Sequence, residues 1–233
     1  MRYTVDTIFN NIPDTYAIFT NDKHRYNLNL IGVRALDRDS DTFNDLLYVI
    51  YRYSGKWHSL EYNVTTDPGL IYREKPLSIR GTAAVLPGQY RGMWCVGKHK
   101  GKYTALVQKS PCTVVRDNNR DTILDCDIPP YSKLVTENVG GILVSTYLDI
   151  HNAEVFKTET GIFGINCHRS GKGVTEYVKR YSAGCIVFAD NDAFDNEFIP
   201  ICKDAASIFG NSFTFTLLDE KDFGEVKESV ELR

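Results

Sequence analysis

Residues 45–65 restrict the fold more than any other stretch. DLLYVIYRY and WHSLEYNVTT are runs of β-branched, aromatic and aliphatic residues, and Ser54-Gly55-Lys56 between them is turn chemistry. Runs joined this tightly pair as an antiparallel hairpin, and the rest of the chain repeats the theme. YNLNLIGVRAL, residues 26–36, alternates polar and apolar positions as a strand does. Asp67-Pro68-Gly69 is a strong break. Three short strand-like runs follow it, cut by Pro87-Gly88 and by the Gly-Lys-His-Lys-Gly stretch at 97–101. Pro111 and the polar residues 116–121 bound another run at 113–115, and 125–133, with Pro129-Pro130, reads as an irregular loop. Residues 141–150 and 161–168 are further strand candidates, and SFTFTLL, 212–218, is a last alternating strand.

The texture turns helical only once at length. Residues 191–210 place Phe194, Phe198, Ile201 and Ala205 at three- and four-residue steps. Asn191 or Asp192 is suited to cap the start, Gly210 to end the helix and Pro200 to kink or split it. A short helix is also expected near 5–11. The fold expected is mainly β, an antiparallel sandwich or barrel with one helix in the C-terminal half. Residues 1–75 read as an N-terminal β extension or subdomain packed on the main sheet, 76–220 as the main domain and 221–233 as a charged tail.

Composition narrows the function classes. With 233 residues and 42% hydrophobic content the chain can bury a sizeable core. A formal net charge of −3 gives no electrostatic case for nucleic acid. The apolar runs are too short to span a bilayer, and the first residues do not form a signal peptide, so the expected location is the cytoplasm until release or incorporation in a virion. The six cysteines are scattered without a Cys-x-x-Cys pair and are expected as mostly free, buried thiols. Zinc on Cys167, His168 and Cys185 with His151 or His99 would match no common ligand spacing, and adjacent strand residues point to opposite faces. No phosphate loop or dinucleotide fingerprint is present, so neither cofactor nor metal is expected, and the oligomeric state is left open.

The chemistry concentrates in residues 161–188, GIFGINCHRSGKGVTEYVKRYSAGCIVF. His168 ends a strand-like run, and Cys185 follows a tight Ser182-Ala183-Gly184 turn seventeen residues later. An excursion of that length can bring the chain back beside itself and set an imidazole against a thiol, as a nucleophile and its base require. Backbone N–H groups around 183–185 are candidates to stabilise an oxyanion. This pattern resembles the active-site motif of the L,D-transpeptidases, the YkuD-like family. There a strand-end His is followed at a similar spacing by Ser/Thr-His-Gly-Cys. Leu86-Pro87-Gly88-Gln89-Tyr90 is similar to a segment upstream of the family motif, so the resemblance covers roughly residues 78–218. The Ser-Ala-Gly-Cys version is most similar to proteins of bacteriophages and their bacterial hosts.

The resemblance implies an L,D-transpeptidase-like β fold and cysteine-dependent acyl transfer or hydrolysis on peptidoglycan stem peptides. Cys185 would be the nucleophile and His168 the base, oriented by the carbonyl of Arg169 or Ser170. Ser182 and Gly184 would shape the turn, and Arg169, Arg180 and Tyr90 would meet the substrate. Two positions depart from the family: Ala183 replaces the His before Gly-Cys, and Val187 replaces the Asn or Arg often found two residues after the Cys. These departures keep a second reading open, a catalytically silent binding or virion-structural module on the same fold.

Overall fold

The hairpin begins a barrel. In the computed structural model, which describes residues 1–38, 40–117 and 121–223, β1 (Asn29–Arg34) pairs with β2 (Asp45–Tyr53), and β2 with β3 (Lys56–Thr65). The β2–β3 turn is two residues long, with Ser54 and Gly55 both at positive φ (51° and 74°). That is the left-handed pair a tight hairpin of right-twisted strands needs. After a one-turn helix, α2 (Leu70–Glu74), come β4 (Ala83–Val85), β5 (Gly88–His99), β6 (Tyr103–Gln108) and β7 (Cys112–Arg116). Then follow β8 (Lys133–Val139), β9 (Ile142–Leu148), β10 (Glu154–Gly161), β11 (Cys167–Arg169), β12 (Ile186–Phe188) and β13 (Phe213–Asp219).

Eight strands close a barrel in the order β1-β13-β5-β6-β11-β12-β3-β2, and the other five form a sheet in the order β4-β7-β10-β9-β8. The mainly β expectation therefore holds, with a difference in direction: two barrel pairings, β1 with β13 and β11 with β12, are parallel. The division expected at residue 75 is corrected. Residues 29–65 are not an extension, because they supply three of the eight barrel strands, and β1 pairs directly with β13 near the other end of the described chain. Pairing between segments so far apart leaves no mark in local alternation. Of the charged tail, only 221–223 lie within the described residues.

The main core gathers Leu30, Leu47, Val49, Leu106, Phe188 and Phe215 around Trp94, whose ring lies 4.5 Å from that of Phe215. The late helix packs into the same cluster through Phe194, Phe198, Ile201 and Ala205, the residues picked out by their spacing. It is built from α3 (Asn191–Ala193), a π turn over Phe194–Phe198 and α4 (Ile199–Phe209), with Asp190 capping the start. Pro200 splits nothing. It falls in the first turn of α4, where its missing N–H is tolerated, and the π turn takes up the irregularity. On the opposite face of β1 and β2, Ile8 of α1 (Val5–Asn10) packs with Tyr3, Ile31, Tyr48 and Ile50. No helix among the described residues is long and apolar enough to cross a membrane.

A charged cluster is buried beside this core. Arg34 is wholly buried; its Nε donates to Thr66 Oγ1 (3.0 Å) and lies 3.1 Å from the Asp67 carboxylate, while Nη2 donates to the Thr66 carbonyl (3.1 Å). Asp45 accepts from Ala35 N (2.8 Å), Thr66 N (2.6 Å) and Thr66 Oγ1 (2.8 Å). Burial and the neighbouring Asp67 push the Asp45 carboxyl up to about 7 despite the guanidinium. Arg34→Met would remove the cation that acts most strongly on the buried Asp67, leaving only the weaker influence of Arg38 and Arg73. The variant is expected to lose about 3–5 kcal/mol of stability, read as a lowered midpoint of urea denaturation.

Candidate active site

The register of the β11–β12 pair fixes where the thiol and the imidazole lie. Cys167 is opposite Ile186, His168 opposite Val187 and Arg169 opposite Phe188. One residue further back, Cys185 comes opposite Asn166, whose backbone N–H points at Cys185 Sγ from 3.4 Å. Side chains alternate across a sheet, so Cys185 and His168 share one face while Cys167, Ile186 and Phe188 join the core on the other. The strand expected over 161–168 is shorter than its sequence suggests. Residues 162–166 run outside the ladder and are clamped by Gln108: its Oε1 accepts from Phe163 N and Ile165 N (both 2.9 Å), and its Nε2 donates to the Gly161 carbonyl (3.1 Å).

The Ser-Ala-Gly-Cys turn is held as tightly. Ser182 Oγ donates to the Cys185 carbonyl (2.7 Å) and accepts from Gly184 N (3.1 Å), so the wholly buried Ser182 steadies the turn and not the thiolate. Gly184 has φ +116°, and a Cβ there would stand 2.5 Å from the Ala83 carbonyl oxygen. No other residue type meets both conditions without moving the turn off β4. The Gly184 N–H, expected among the oxyanion donors, is already bonded within the turn.

Cys185 and His168 line one cavity of about 480 Å³, together with His99, Lys100, Asn166 and Arg180. Its volume lies within the usual range for a small-molecule site. His168 Nδ1 faces the Arg169 carbonyl at 2.8 Å. A carbonyl only accepts, so Nδ1 carries the proton and Nε2 keeps its lone pair. The Tyr103 hydroxyl stands 3.3 Å from both His168 Nδ1 and the Arg169 carbonyl. The His168 and His99 rings pack against each other with centroids 4.1 Å apart and their planes tilted by 30°.

Burial dominates the electrostatics. It pushes the His168 imidazole down from its ordinary 6.5 to about 3, against the hydrogen bond to Arg169, with His99, Lys100 and Arg169 lowering it further. Burial also pushes the Cys185 thiol up, opposed by the Asn166 N–H and the Lys100 ammonium. The resting pair is therefore a neutral thiol and a neutral imidazole, and proton transfer has to accompany attack. The thiol itself donates to the Gly164 carbonyl at 3.5 Å, and the resting site does not store a thiolate.

Two other candidates lie elsewhere. The Arg169 guanidinium turns away from the cavity: it stacks on the Tyr103 ring (4.4 Å to the centroid), its Nε lies 3.0 Å from Asp195 Oδ2 and its Nη1 donates to the Gly171 carbonyl (2.8 Å). It contributes its backbone carbonyl to His168 instead. The Tyr90 hydroxyl donates to the carbonyls of Leu86 (2.6 Å) and Thr113 (3.3 Å), bridging β5 to β7 outside the cavity. Their proposed contact with substrate is corrected to structural roles. His99, Lys100, Asn166 and Tyr103 were not singled out as catalytic or substrate-binding residues. The signal available for the first two was their place in a glycine-flanked turn, which the fold aims at the thiol.

A larger cavity of about 650 Å³ is lined by Asp37, Asp125, Asp127 and Asp219, but Arg38 and Lys221 also line it and pair with Asp219 and Asp127. No group of three or more His, Cys, Asp or Glu side chains suited to a metal ion is found among the described residues. Comparison with protein-family models, with curated proteins and with solved structures found no match to the chain.

Two outcomes follow from the electrostatics. Lys100→Met removes a cation that favours the thiolate, so the pH at which iodoacetamide alkylates Cys185 should move upward, read by intact mass across a pH series. A folded-state imidazole held near 3 binds no proton between pH 6.5 and 3, where the unfolded chain does, so it withdraws stability as pH falls through that window. His168→Gln should flatten the acid loss by up to about 1.4 kcal/mol per pH unit, the slope carried by one proton. Urea denaturation of both proteins at pH 6.5 and 4.5 measures the difference.

Proposed function

We propose that the chain is a cysteine-dependent acyl-transfer enzyme of L,D-transpeptidase-like type, acting on peptidoglycan stem peptides. The observation that carries the reading is the shared cavity: Cys185 and His168 line it together, and His168 has its Nδ1 proton tied to the Arg169 carbonyl, which frees Nε2 to act as a base. The motif spacing and the β architecture support the same reading. Cys185 Sγ attacks a peptide carbonyl, forming the C–S bond as the thiol proton passes to His168 Nε2. The tetrahedral intermediate collapses when the imidazolium returns that proton to the amine nitrogen, breaking the C–N bond and leaving a thioester. An amine then takes the acyl group in transpeptidation, or water takes it in carboxypeptidase or endopeptidase action. Arg180 and Lys100 line the same cavity and suit a substrate carrying a carboxylate.

A second reading, a catalytically silent binding or virion-structural module, draws on the thiol's burial, which holds it un-ionised. One experiment separates the two. Incubation with a carbapenem, followed by intact mass, is expected to give a single adduct on Cys185, slowed at least a hundredfold in His168→Ala and lost in Cys185→Ala. Labelling no faster than that of a free thiol, and indifferent to His168, would leave the silent module as the better account.

A further inference from the structure

The amide of Asn166 fixes the proton of a second imidazole. The Gln108 backbone N–H can only donate, and it meets Asn166 Oδ1 at 2.8 Å. The other end of that amide, Nδ2, can also only donate, and it faces His99 Nδ1 at 3.1 Å. His99 Nδ1 must therefore accept, and in the neutral ring the proton sits on Nε2. Burial and the Lys100 ammonium lower the His99 pKa, which favours that neutral ring. His168 is held in the opposite tautomer, with its proton on Nδ1 toward the Arg169 carbonyl. The cavity is thus lined by two closely packed, tilted imidazoles, one with a lone pair at Nε2 and the other with an N–H there.

The turn's own donors are few. The Gly184 N–H is bonded to Ser182, and the Ala183 side chain is a methyl group with nothing to donate. Beside the backbone N–H of Cys185 itself, a carbonyl oxygen developing charge there gains from a second N–H on the cavity wall.

We infer that His99 supplies it, its Nε2–H donating a hydrogen bond to the carbonyl oxygen of the group that Cys185 attacks. The inference rests on the acyl-transfer reading above. As the C–S bond forms, the carbonyl π pair moves onto oxygen and the thiol proton moves to His168 Nε2. His99 keeps its own proton throughout and forms no covalent bond. Asn166 is the positioning residue: its amide orients His99, and its backbone N–H holds Cys185 Sγ at 3.4 Å, so one residue sets the donor against the nucleophile.

Two reagents test this on wild type, His99→Phe and His168→Ala. Iodoacetamide loses iodide from a saturated carbon and forms no oxyanion, whereas p-nitrophenyl acetate must pass through one. Modification of Cys185 is followed by peptide mass. His99→Phe is expected to slow acetylation on the order of a hundredfold more than alkylation, while His168→Ala slows both. Equal effects of His99→Phe on the two reagents, or none, would overturn the donor role. Indifference of both reagents to His168→Ala would instead overturn the acyl-transfer reading. Imidazole nitrogen shifts of the ¹⁵N-labelled wild type give a check that needs no variant: a proton on Nε2 is expected at His99 and on Nδ1 at His168. A His99 proton found on Nδ1 would end the inference whatever the variants do.

Discussion

The candidate site depends on one pairing, the parallel ladder between β11 and β12. Each strand is only three residues long, yet its register decides which side chains meet. A slip of one residue would turn Cys185 toward the core and bring a neighbouring side chain to the cavity. Parallel strands need a crossover, and this one has no helix to stiffen it. The segment is tied down by backbone bonds instead: Ser170 N to the Phe188 carbonyl (3.2 Å), Thr175 N to Ala189 (2.9 Å), Val178 N to Asp41 (2.7 Å) and Gly69 N to Ser182 (2.9 Å). Two of these anchors come from the first 75 residues. A Cβ at position 69 would sit 2.0 Å from the Lys179 carbonyl oxygen, so the crossover lies directly on the Asp-Pro-Gly break. The segment that first read as a separate extension is thus part of what holds the thiol in place.

Electrostatics in the cavity have a single direction. Lys100, at the tip of the β5–β6 hairpin, favours the thiolate of Cys185 and disfavours the cations of both His168 and His99. Burial opposes it at the thiol and reinforces it at the imidazoles. The result is a neutral resting site in which the base is weak and the acid is a poor one. Under the acyl-transfer proposal, such a pair would depend on the transition state itself to create the charge that the Lys100 ammonium and nearby N–H groups favour.

The sequence made legible what local chemistry controls. The Ser54-Gly55 turn, the β2–β3 hairpin, the β13 run and the helical spacing of Phe194, Phe198, Ile201 and Ala205 each follow from a few adjacent residues. Long-range closure was not legible. Nothing near residue 30 announces a parallel partner at residue 215, and nothing around 162–166 announces that Gln108 will hold that segment off the ladder. Within the site, the spacing of His168 and Cys185 was readable because it lies along one stretch of chain. His99 arrives from a different hairpin, and its tautomer depends on an amide whose orientation is set by Gln108 of β6. Arg169 and Tyr90 were misread for a related reason. A basic loop and an aromatic after a turn suggest substrate contact, but each side chain finds a partner inside the fold first.

The two departures from the family motif are not equivalent. Val187 is fully buried with Phe43, Val178 and Ala189 in a small apolar cluster under the crossover. A polar side chain at 187 would have to be accommodated there, so the valine answers a packing requirement of this particular fold. Ala183 does line the cavity, and its small size leaves volume that a larger side chain would fill. His99 and Asn166 border that same cavity, tied to each other and, through the Asn166 N–H, to the thiol. The space left by the small residue at 183 and the polar pair at 99 and 166 thus belong to one cavity wall, in which the turn carries the thiol and the β5–β6 hairpin carries the second imidazole.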